Sequence, residues 1–440
     1  MFLNNRMRLV KRLIVTSCKE KVFRQSGIYT LGYIASAAVP FALMPVMTRY
    51  LSPEDYGITA MLGVLVGIYN PFIGLNLRGL IGPAFFKNAK DFPKIVQSSF
   101  SILLMTMLVM SLFTYLLADS ISDWTSFPSS WLWAVILLCV SDFFIQLVQT
   151  IQQMRGKALQ FAGLQFSQTI MNMMLSVGLV VLLSMNWQGR VMAQLIASLV
   201  IMGISLFVLH RWKLLGLYFN WEYIKRGLIF GIPMIPHALS VWFIIASDRL
   251  LINNMVSLTE LGIFSVGYSI GNALELLASS FNKAYSPWLF HHLKNIADNK
   301  YDNRRKIVIT SYLVIAGFIA FAVVYSCCMP WLLAFFVGPK FQAASQYVLG
   351  FAVGAAIHVG YYIMVNYIVY NGKTQYLAFG TCTSGVMHVG ISYLLIREFG
   401  AVGAAYASII TNTFMFLFTW WLANKVTPMP WRLWKSVTAK

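Results

Sequence analysis

Apolar runs long enough to cross a bilayer alternate with short polar connectors along the chain. Twelve can be drawn, over roughly 27–50, 56–77, 95–118, 131–153, 161–184, 191–209, 227–250, 261–282, 307–328, 346–369, 375–396 and 401–423. A span takes about 20 residues of helix. In lipid every backbone N–H and C=O must be bonded within the protein, so an apolar run of this length demands a helix. The pattern therefore predicts an all-α membrane protein of about 12 transmembrane helices. Met329 to Val337 is a further apolar stretch that either extends the ninth span or lies at the membrane surface.

A repeat runs through the pattern. Ser52-Pro53-Glu54-Asp55-Tyr56-Gly57-Ile58 joins spans 1 and 2, and Ser257-Leu258-Thr259-Glu260-Leu261-Gly262-Ile263 joins spans 7 and 8, 205 residues later. The same offset carries Arg78 onto Lys283. Gly156-Lys157 before span 5 matches Gly372-Lys373 before span 11 at an offset of 216. The repeat unit is six spans, an even number, so the halves run parallel and are related by an axis along the membrane normal. The expected architecture is two pseudo-symmetric six-helix bundles around a central cavity: a cytoplasmic basic leader over 1–26, one bundle over 27–215, a second over 216–424 and a cytoplasmic tail over 425–440.

Composition sharpens this picture. Of the 440 residues, 58% are hydrophobic and only 11% charged, against about 25% charged in an average soluble protein. That excludes an ordinary soluble enzyme and a disordered chain. The formal net charge of +19 first suggests an acidic partner, but its distribution follows membrane topology. With both termini in the cytoplasm, 26 of the 33 basic residues fall in cytoplasmic segments, a strong positive-inside bias. Arg49, Arg190, Arg249, Lys340 and Arg397 fall on the opposite side, and Arg78 and Lys283 at or inside the membrane. No nucleic-acid-binding motif accompanies the charge, so nucleic acid is not an expected partner. Cys18, Cys139, Cys327, Cys328 and Cys382 are scattered without a C-x-x-C or Cys/His pattern. Neither a metal nor a cofactor is expected. The sequence holds no Walker A motif, no G-x-S-x-G and no H-E-x-x-H, so transport would draw on an ion gradient, the membrane potential or exchange.

Polar residues inside the spans carry the candidate chemistry. Span 4 has Asp142, Gln146, Gln149 and Gln153; span 5 has Gln165, Gln168, Asn172 and Ser176; span 8 has Tyr268, Asn272, Glu275, Ser279 and Asn282; span 11 has Thr381, Ser384, His388 and Ser392. Such stripes must face protein or a hydrated cavity, as interhelical hydrogen bonding or as a shared site. Arg78 and Lys283, one per half, either snorkel to the headgroups or hold an anionic group such as a phosphate. Asn76, Gln149 and Asn272 are the polar candidates placed with them as substrate contacts. Glu275, about two turns before Lys283, is a counter-ion, a structural pair or an ion-coupling carboxylate, and Asp142 has the same alternatives. His237, His358 and His388 carry protons or serve as hydrogen-bonded core residues. Asp248 and Arg249 end span 7 as a structural or gating ion pair. Pro40 and Pro45 in span 1, with Gly231, Pro233 and Pro236 in span 7, interrupt corresponding helices. Such paired interruptions are expected of bending elements, with Pro40, Pro236 and Arg49 as gate or structural positions.

Thr48-Arg49-Tyr50-Leu51-Ser52-Pro53-Glu54-Asp55-Tyr56-Gly57 resembles the first-hairpin signature of the O-antigen type polysaccharide exporters and flippases, within the multidrug/oligosaccharidyl-lipid/polysaccharide exporter superfamily. Gly231-Ile232-Pro233, Asp248-Arg249, Gly262 through Ser269 and Gly338-Pro339-Lys340-Phe341 are similar to that family's later pattern, and the resemblance runs from about 24 to 424. It implies two six-helix bundles in a V around a central cavity. It also implies transport, without a cofactor, of undecaprenyl-pyrophosphate-linked oligosaccharide repeat units across the bacterial inner membrane. A polysaccharide polymerase and a chain-length regulator are the implied partners, and Arg78 and Lys283 become pyrophosphate or acidic-sugar contacts. A cation-coupled multidrug antiporter of the same superfamily and a lipid II flippase are the competing transport readings, and a non-transporting membrane scaffold is the reading from another class.

Overall fold

The computed structural model describes residues 32, 35–87, 90–294, 301–371 and 375–431. The leader over 1–26, most of the tail and Gly372-Lys373 lie outside the described residues, which contain helices and turns and no strand. In order the helices are α1 (35–50), α2 (Pro53–Tyr69), α3 (Arg78–Lys87), α4 (Phe92–Leu116), α5 (Ala118–Thr125), α6 (Leu132–Met154), α7 (Ala158–Val177) and α8 (Asn186–Arg211). There follow α9 (Trp221–Met255), α10 (Leu258–Gly271), α11 (Ala273–Lys294), α12 (Tyr301–Phe336), α13 (Ser345–Tyr370), α14 (Gln375–Phe399) and α15 (Val402–Val426). Among the described residues, nine helical stretches are long and apolar enough to cross a membrane: α4, α6, α7, α8, the α10–α11 pair, α12, α13, α14 and α15. α1 and α9 stand where the sequence pattern puts spans 1 and 7, and α2 with the turn after it where it puts span 2; α3 begins beyond that span, at Arg78.

The chain divides into two compact units. Unit 1 is the chain through Leu51 with Leu62–Asp123 and Phe127–Leu239; unit 2 is Ser52–Met61, Trp124–Ser126 and Ser240 onward. The core of unit 1 gathers Ile81, Val96, Phe100, Val148, Ile151 and Leu209 from α3, α4, α6 and α8. That of unit 2 gathers Leu289, Val308, Val359, Tyr367 and Ala423 from α11, α12, α13 and α15. α13 is largely enclosed, and Gly350 and Gly354 let α15 approach it closely: a Cβ on Gly350 would sit 2.6 Å from that of Ala405. Small residues four apart are the usual way membrane helices come together. By contrast, Leu104, Leu108 and Leu112 of α4 are exposed, as a lipid-facing surface requires.

The repeated hairpins are built alike. In the first, Ser52 Oγ accepts from the Asp55 N–H at 3.0 Å while Asp55 Oδ2 accepts from the Ser52 N–H at 3.0 Å, a reciprocal capping box that starts α2. In the second, Ser257 Oγ accepts from the Glu260 N–H at 3.0 Å and starts α10. The two helix starts then pack against each other in unit 2 with reciprocal contacts. A Cβ on Gly57 would strike the Leu258 carbonyl oxygen, and one on Gly262 would strike that of Pro53. Backbone meets backbone here, so neither side can yield. Gly262→Val is expected to destabilise the protein by about 3 kcal/mol, read as a lowered melting temperature of the purified protein. Gly163→Ala, at a glycine with open space around it, should leave melting unchanged. Equal melting of the two variants would show that the hairpin contact is not tight.

The interruptions fall in spans 2 and 8. α2 and α3 are separated by a turn in which Gly74, Leu75 and Asn76 have φ of 77°, 49° and 51°, and the freed Gly74 N–H donates to Thr106 Oγ1 at 3.1 Å. α10 and α11 are separated at Asn272, with Tyr325 Oη donating to the Ile270 carbonyl at 2.9 Å. Side chains from neighbouring helices thus satisfy backbone groups that lipid could not. The helix α9 runs unbroken through Pro233 and Pro236, and α1 through Pro40 and Pro45. Each proline removes one backbone donor, too little to end a helix whose other bonds persist.

Candidate functional site

In unit 1 the polar stripe of α7 opens onto a cavity of about 390 Å3. Gln165, Gln168, Thr169 and Asn172 of α7 form one wall, Gln194 and Ser198 of α8 a second, and Ser36 and Pro40 of α1 with Asp142 of α6 the rest. Asn172 Oδ1 and Ser176 Oγ each accept from Arg190 Nη1 at 2.7 Å, which ties α8 to α7 beside the cavity. Asn70 Nδ2 lies 3.5 Å from Asp142 Oδ2. A second pocket, of about 20 Å3, has Asn70, Asn76 and Gln146 among its lining residues.

Unit 2 holds two polar clusters. Glu275, at the start of α11, faces α13. His358 Nδ1 lies 3.0 Å from both carboxylate oxygens, and Tyr362 Oη donates to Oε1 at 2.6 Å. Glu275 and His358 are partly exposed, at 24% and 26% of their side-chain surface. Two turns beyond the Glu275–His358 pair, Asn366 Nδ2 donates to Asn282 Oδ1 at 2.8 Å. The second cluster is dry. Asp248 of α9 is buried, with His388 Nε2 at 3.1 and 3.2 Å from its two oxygens and Ser392 Oγ donating at 2.6 Å. His388 Nδ1 in turn lies 3.0 Å from Thr411 Oγ1. Arg249, next in sequence, does not pair with Asp248 by hydrogen bond. Its Nη1 donates to the Ala60 carbonyl at 3.3 Å, and its guanidinium lies 5.8 Å from the Tyr268 ring.

These contacts follow the repeat. Adding 205 to Asn70 gives Glu275, and adding 216 to Asp142 gives His358. The Asn70–Asp142 contact of unit 1 and the Glu275–His358 contact of unit 2 are thus one interhelical contact made twice, with the acid on opposite partners. At the same offset of 216, Gln165, Gln168, Asn172 and Ser176 map onto Thr381, Ser384, His388 and Ser392. One stripe lines an open cavity and its counterpart is closed over Asp248.

The sequence profile of the family described as "Polysaccharide biosynthesis protein" matches residues 46–346. The chain belongs to that family. Among relatives, an "Uncharacterized membrane protein" of Haemophilus influenzae is 25% identical over 396 residues, covering 88% of this chain and 94% of its own. A Shigella flexneri protein named "Putative O-antigen transporter" is 21% identical, covering 92% and 98%. Among solved structures, the lipid II flippase MurJ in an inward closed conformation aligns with a TM-score of 0.71 at 12% identity, over 90% of this chain and 87% of that one. A mutant of the Vibrio cholerae MATE transporter VcmN aligns at 0.60 and 12%, over 93% and 97%. This member of the polysaccharide biosynthesis family is therefore a multi-pass membrane protein with the fold of those transporters.

In this family member the residues singled out from sequence scatter over both units. Asp142 and Pro40 line the unit 1 cavity. Gln149 is half-buried on α6 and lines neither pocket described. Asn76 sits in the α2–α3 turn with its Nδ2 buried and, among the described residues, without a hydrogen-bond partner. Asn272 marks the α10–α11 break, with its Nδ2 3.5 Å from Tyr268 Oη. Lys283 is exposed on α11, and Glu275 takes His358 and Tyr362 as partners instead of it. Arg78 opens α3, and its side chain lies outside the described residues, as does that of His237. Arg49 and Pro236 are exposed. Sequence reasoning missed Gln194, Ser36 and Ser198 as cavity walls, Arg190 as the partner of Asn172, and Tyr362 beside Glu275.

Proposed function

We propose that this chain is a secondary transporter, not an enzyme, that moves undecaprenyl-pyrophosphate-linked oligosaccharide repeat units across the bacterial inner membrane for surface polysaccharide synthesis. Both termini are cytoplasmic. The observation that carries the reading is the polysaccharide biosynthesis profile over 46–346 on a chain that is almost entirely membrane helix. The relative named for O-antigen transport supports it. In this reading Arg78 and Lys283 each contribute a cationic contact to the pyrophosphate. Asn76, Asn272 and Gln149 offer hydrogen bonds to the substrate, and Glu275 and Asp142 carry the coupling ion. Asp248, Arg249, Arg49, Pro40 and Pro236 serve the gate and its framework.

The multidrug antiporter reading draws on the MATE fold and would need acidic groups ready for a cationic drug. The polysaccharide biosynthesis profile over 46–346 favours the glycan reading. The test is deletion of the gene in a cell whose surface glycan depends on it. Lipid-linked repeat units should accumulate on the cytoplasmic side and surface glycan should disappear; unchanged display would overturn the reading. Arg78→Ala and Lys283→Ala should each lower display in the complemented deletion strain by about fivefold or more, the worth of a charged contact. Wild-type display from both would remove the cationic contacts from the mechanism.

A further inference from the structure

The unit 1 cavity has a chemistry of its own. Its volume of about 390 Å3 falls within the roughly 300–1,000 Å3 of small-molecule sites. Three glutamines, an asparagine, a threonine and two serines line it with a single carboxylate, and no Lys, Arg or His is among the described lining residues. A phosphate placed there would meet the Asp142 carboxylate and no cation in the lining itself, since Arg190 lies behind Asn172 and Ser176 and donates to both. A neutral, hydroxyl-rich group needs no cation, and each side-chain amide offers donors at one end and an acceptor at the other. Two polar atoms of the lining, Ser36 Oγ and Gln165 Oε1, are buried and have no partner among the described residues. Buried polar groups are nearly always satisfied, so this wall presents unused hydrogen-bonding capacity.

The repeat supplies an internal comparison. The counterpart stripe in unit 2 spends His388 and Ser392 on Asp248, so its polar atoms are already paired. In unit 1 the equivalent positions, Asn172 and Ser176, are held by Arg190. Gln165 and Gln168, a turn or more away, still face the cavity.

We propose that this cavity is a subsite for one neutral sugar residue, bound through its hydroxyl or acetamido groups by Gln165, Gln168 and Gln194, and closed to the phosphate end of the same substrate. The proposal rests on the flippase reading and names where, and by what chemistry, unit 1 holds the glycan.

The test is saturation-transfer NMR on the purified full chain in nanodiscs. The probes are methyl glycosides of a neutral hexose, an N-acetylhexosamine and a hexuronic acid, with inorganic pyrophosphate as competitor. A neutral glycoside should receive saturation from the protein, the uronic acid should not, and pyrophosphate should leave the signal unchanged. Gln165→Leu with Gln194→Leu should weaken binding by about fivefold for each hydrogen bond lost. Gln165→Asn, which keeps the polarity and shortens the reach, provides the second variant, and melting temperatures establish that each variant folds. Absence of signal from every neutral glycoside, survival of the signal in the double variant, or displacement by pyrophosphate would overturn the subsite. So would sodium binding abolished by Asp142→Asn together with no glycoside binding, which would make the cavity a cation site. If gene deletion removes surface glycan while no glycoside binds, the subsite fails and the flippase reading stands. If glycosides bind as expected but deletion leaves display intact, the flippase reading fails and the sugar site stands.

Discussion

Replacing His388 with leucine is expected to destabilise the protein by about 3 kcal/mol, and replacing Asp248 with leucine by about half as much. The asymmetry follows from what each change leaves behind. Without His388, the buried Asp248 carboxyl keeps only the Ser392 hydroxyl, at 2.6 Å. Without Asp248, His388 keeps Thr411 at 3.0 Å, and Ser392 can donate to a carbonyl of its own helix, as serines in membrane helices do. The double replacement should cost less than the sum of the two, because the leucines fill the space and no carboxyl is stranded. The coupling should exceed about 1 kcal/mol, as expected for groups in direct contact. Thermal and denaturant unfolding of the four proteins in one detergent measures the cycle. Equal costs for the two single variants, or additivity in the double, would show that α9 and α14 are held together by packing and not by this network.

The network also shows what a linear sequence conceals. Asp248 and Arg249 are adjacent and opposite in charge, which reads as an ion pair, yet their side chains leave the helix in different directions. Asp248 meets a histidine 140 residues away, and Arg249 meets a carbonyl 189 residues back. Glu275 and Lys283 repeat the lesson: two turns of one helix separate them, and Glu275 instead takes partners 83 and 87 residues on. Periodicity reports which face of a helix a residue occupies and not which neighbour fills that face. The elements themselves were legible, because a bilayer leaves an apolar run of 20 residues little choice but a helix. The repeated hairpins were legible too, since Ser52 to Ile58 and Ser257 to Ile263 match in sequence, and the structure adds that each opens on a serine cap.

The breaks were harder to place. Prolines drew attention to spans 1 and 7, whereas the helix ends that matter lie at Gly74–Asn76 and Asn272. The local signal at Asn272 is Gly271-Asn272, residue types common at helix C-termini, which drew less attention than the prolines. The break is supported from outside by Tyr325, which satisfies the Ile270 carbonyl. The signal that could have assembled the site was the repeat. Continued from the hairpins into spans 4, 5, 10 and 11, offsets of 205 and 216 pair Asn70 with Glu275 and Asp142 with His358. The residues of both interhelical contacts are therefore written in the spacing of the two halves.

Glu275→Gln is expected to reduce gradient-driven translocation by at least about tenfold, equivalent to about 1.4 kcal/mol or more on the limiting step, while leaving the melting temperature within a few degrees of the wild type. The amide has the shape of the carboxyl and still accepts from Tyr362, so the α11–α13 contact persists. What it loses is the capacity to take up and release a proton or hold a cation, the property a coupling residue needs. The pair is partly exposed, at 24% and 26% of its side-chain surface, which sets it apart from the buried Asp248 cluster and favours it as the exchangeable one of the two. Proteoliposomes with imposed proton or sodium gradients and a lipid-linked oligosaccharide substrate provide the measurement. Downhill exchange without a gradient should survive the substitution, because coupling is removed and the path is not. Asp142→Asn is the decisive companion. The contact it makes with Asn70 is the unit 1 copy of the same geometry, with the acid on the other helix. If Asp142→Asn abolishes gradient dependence and Glu275→Gln does not, coupling belongs to unit 1 and the Glu275–His358 pair is structural. If each alone halves the coupled ions per substrate, the repeat has kept one site in each half. A wild-type gradient response from both variants would remove these carboxyls from the mechanism altogether.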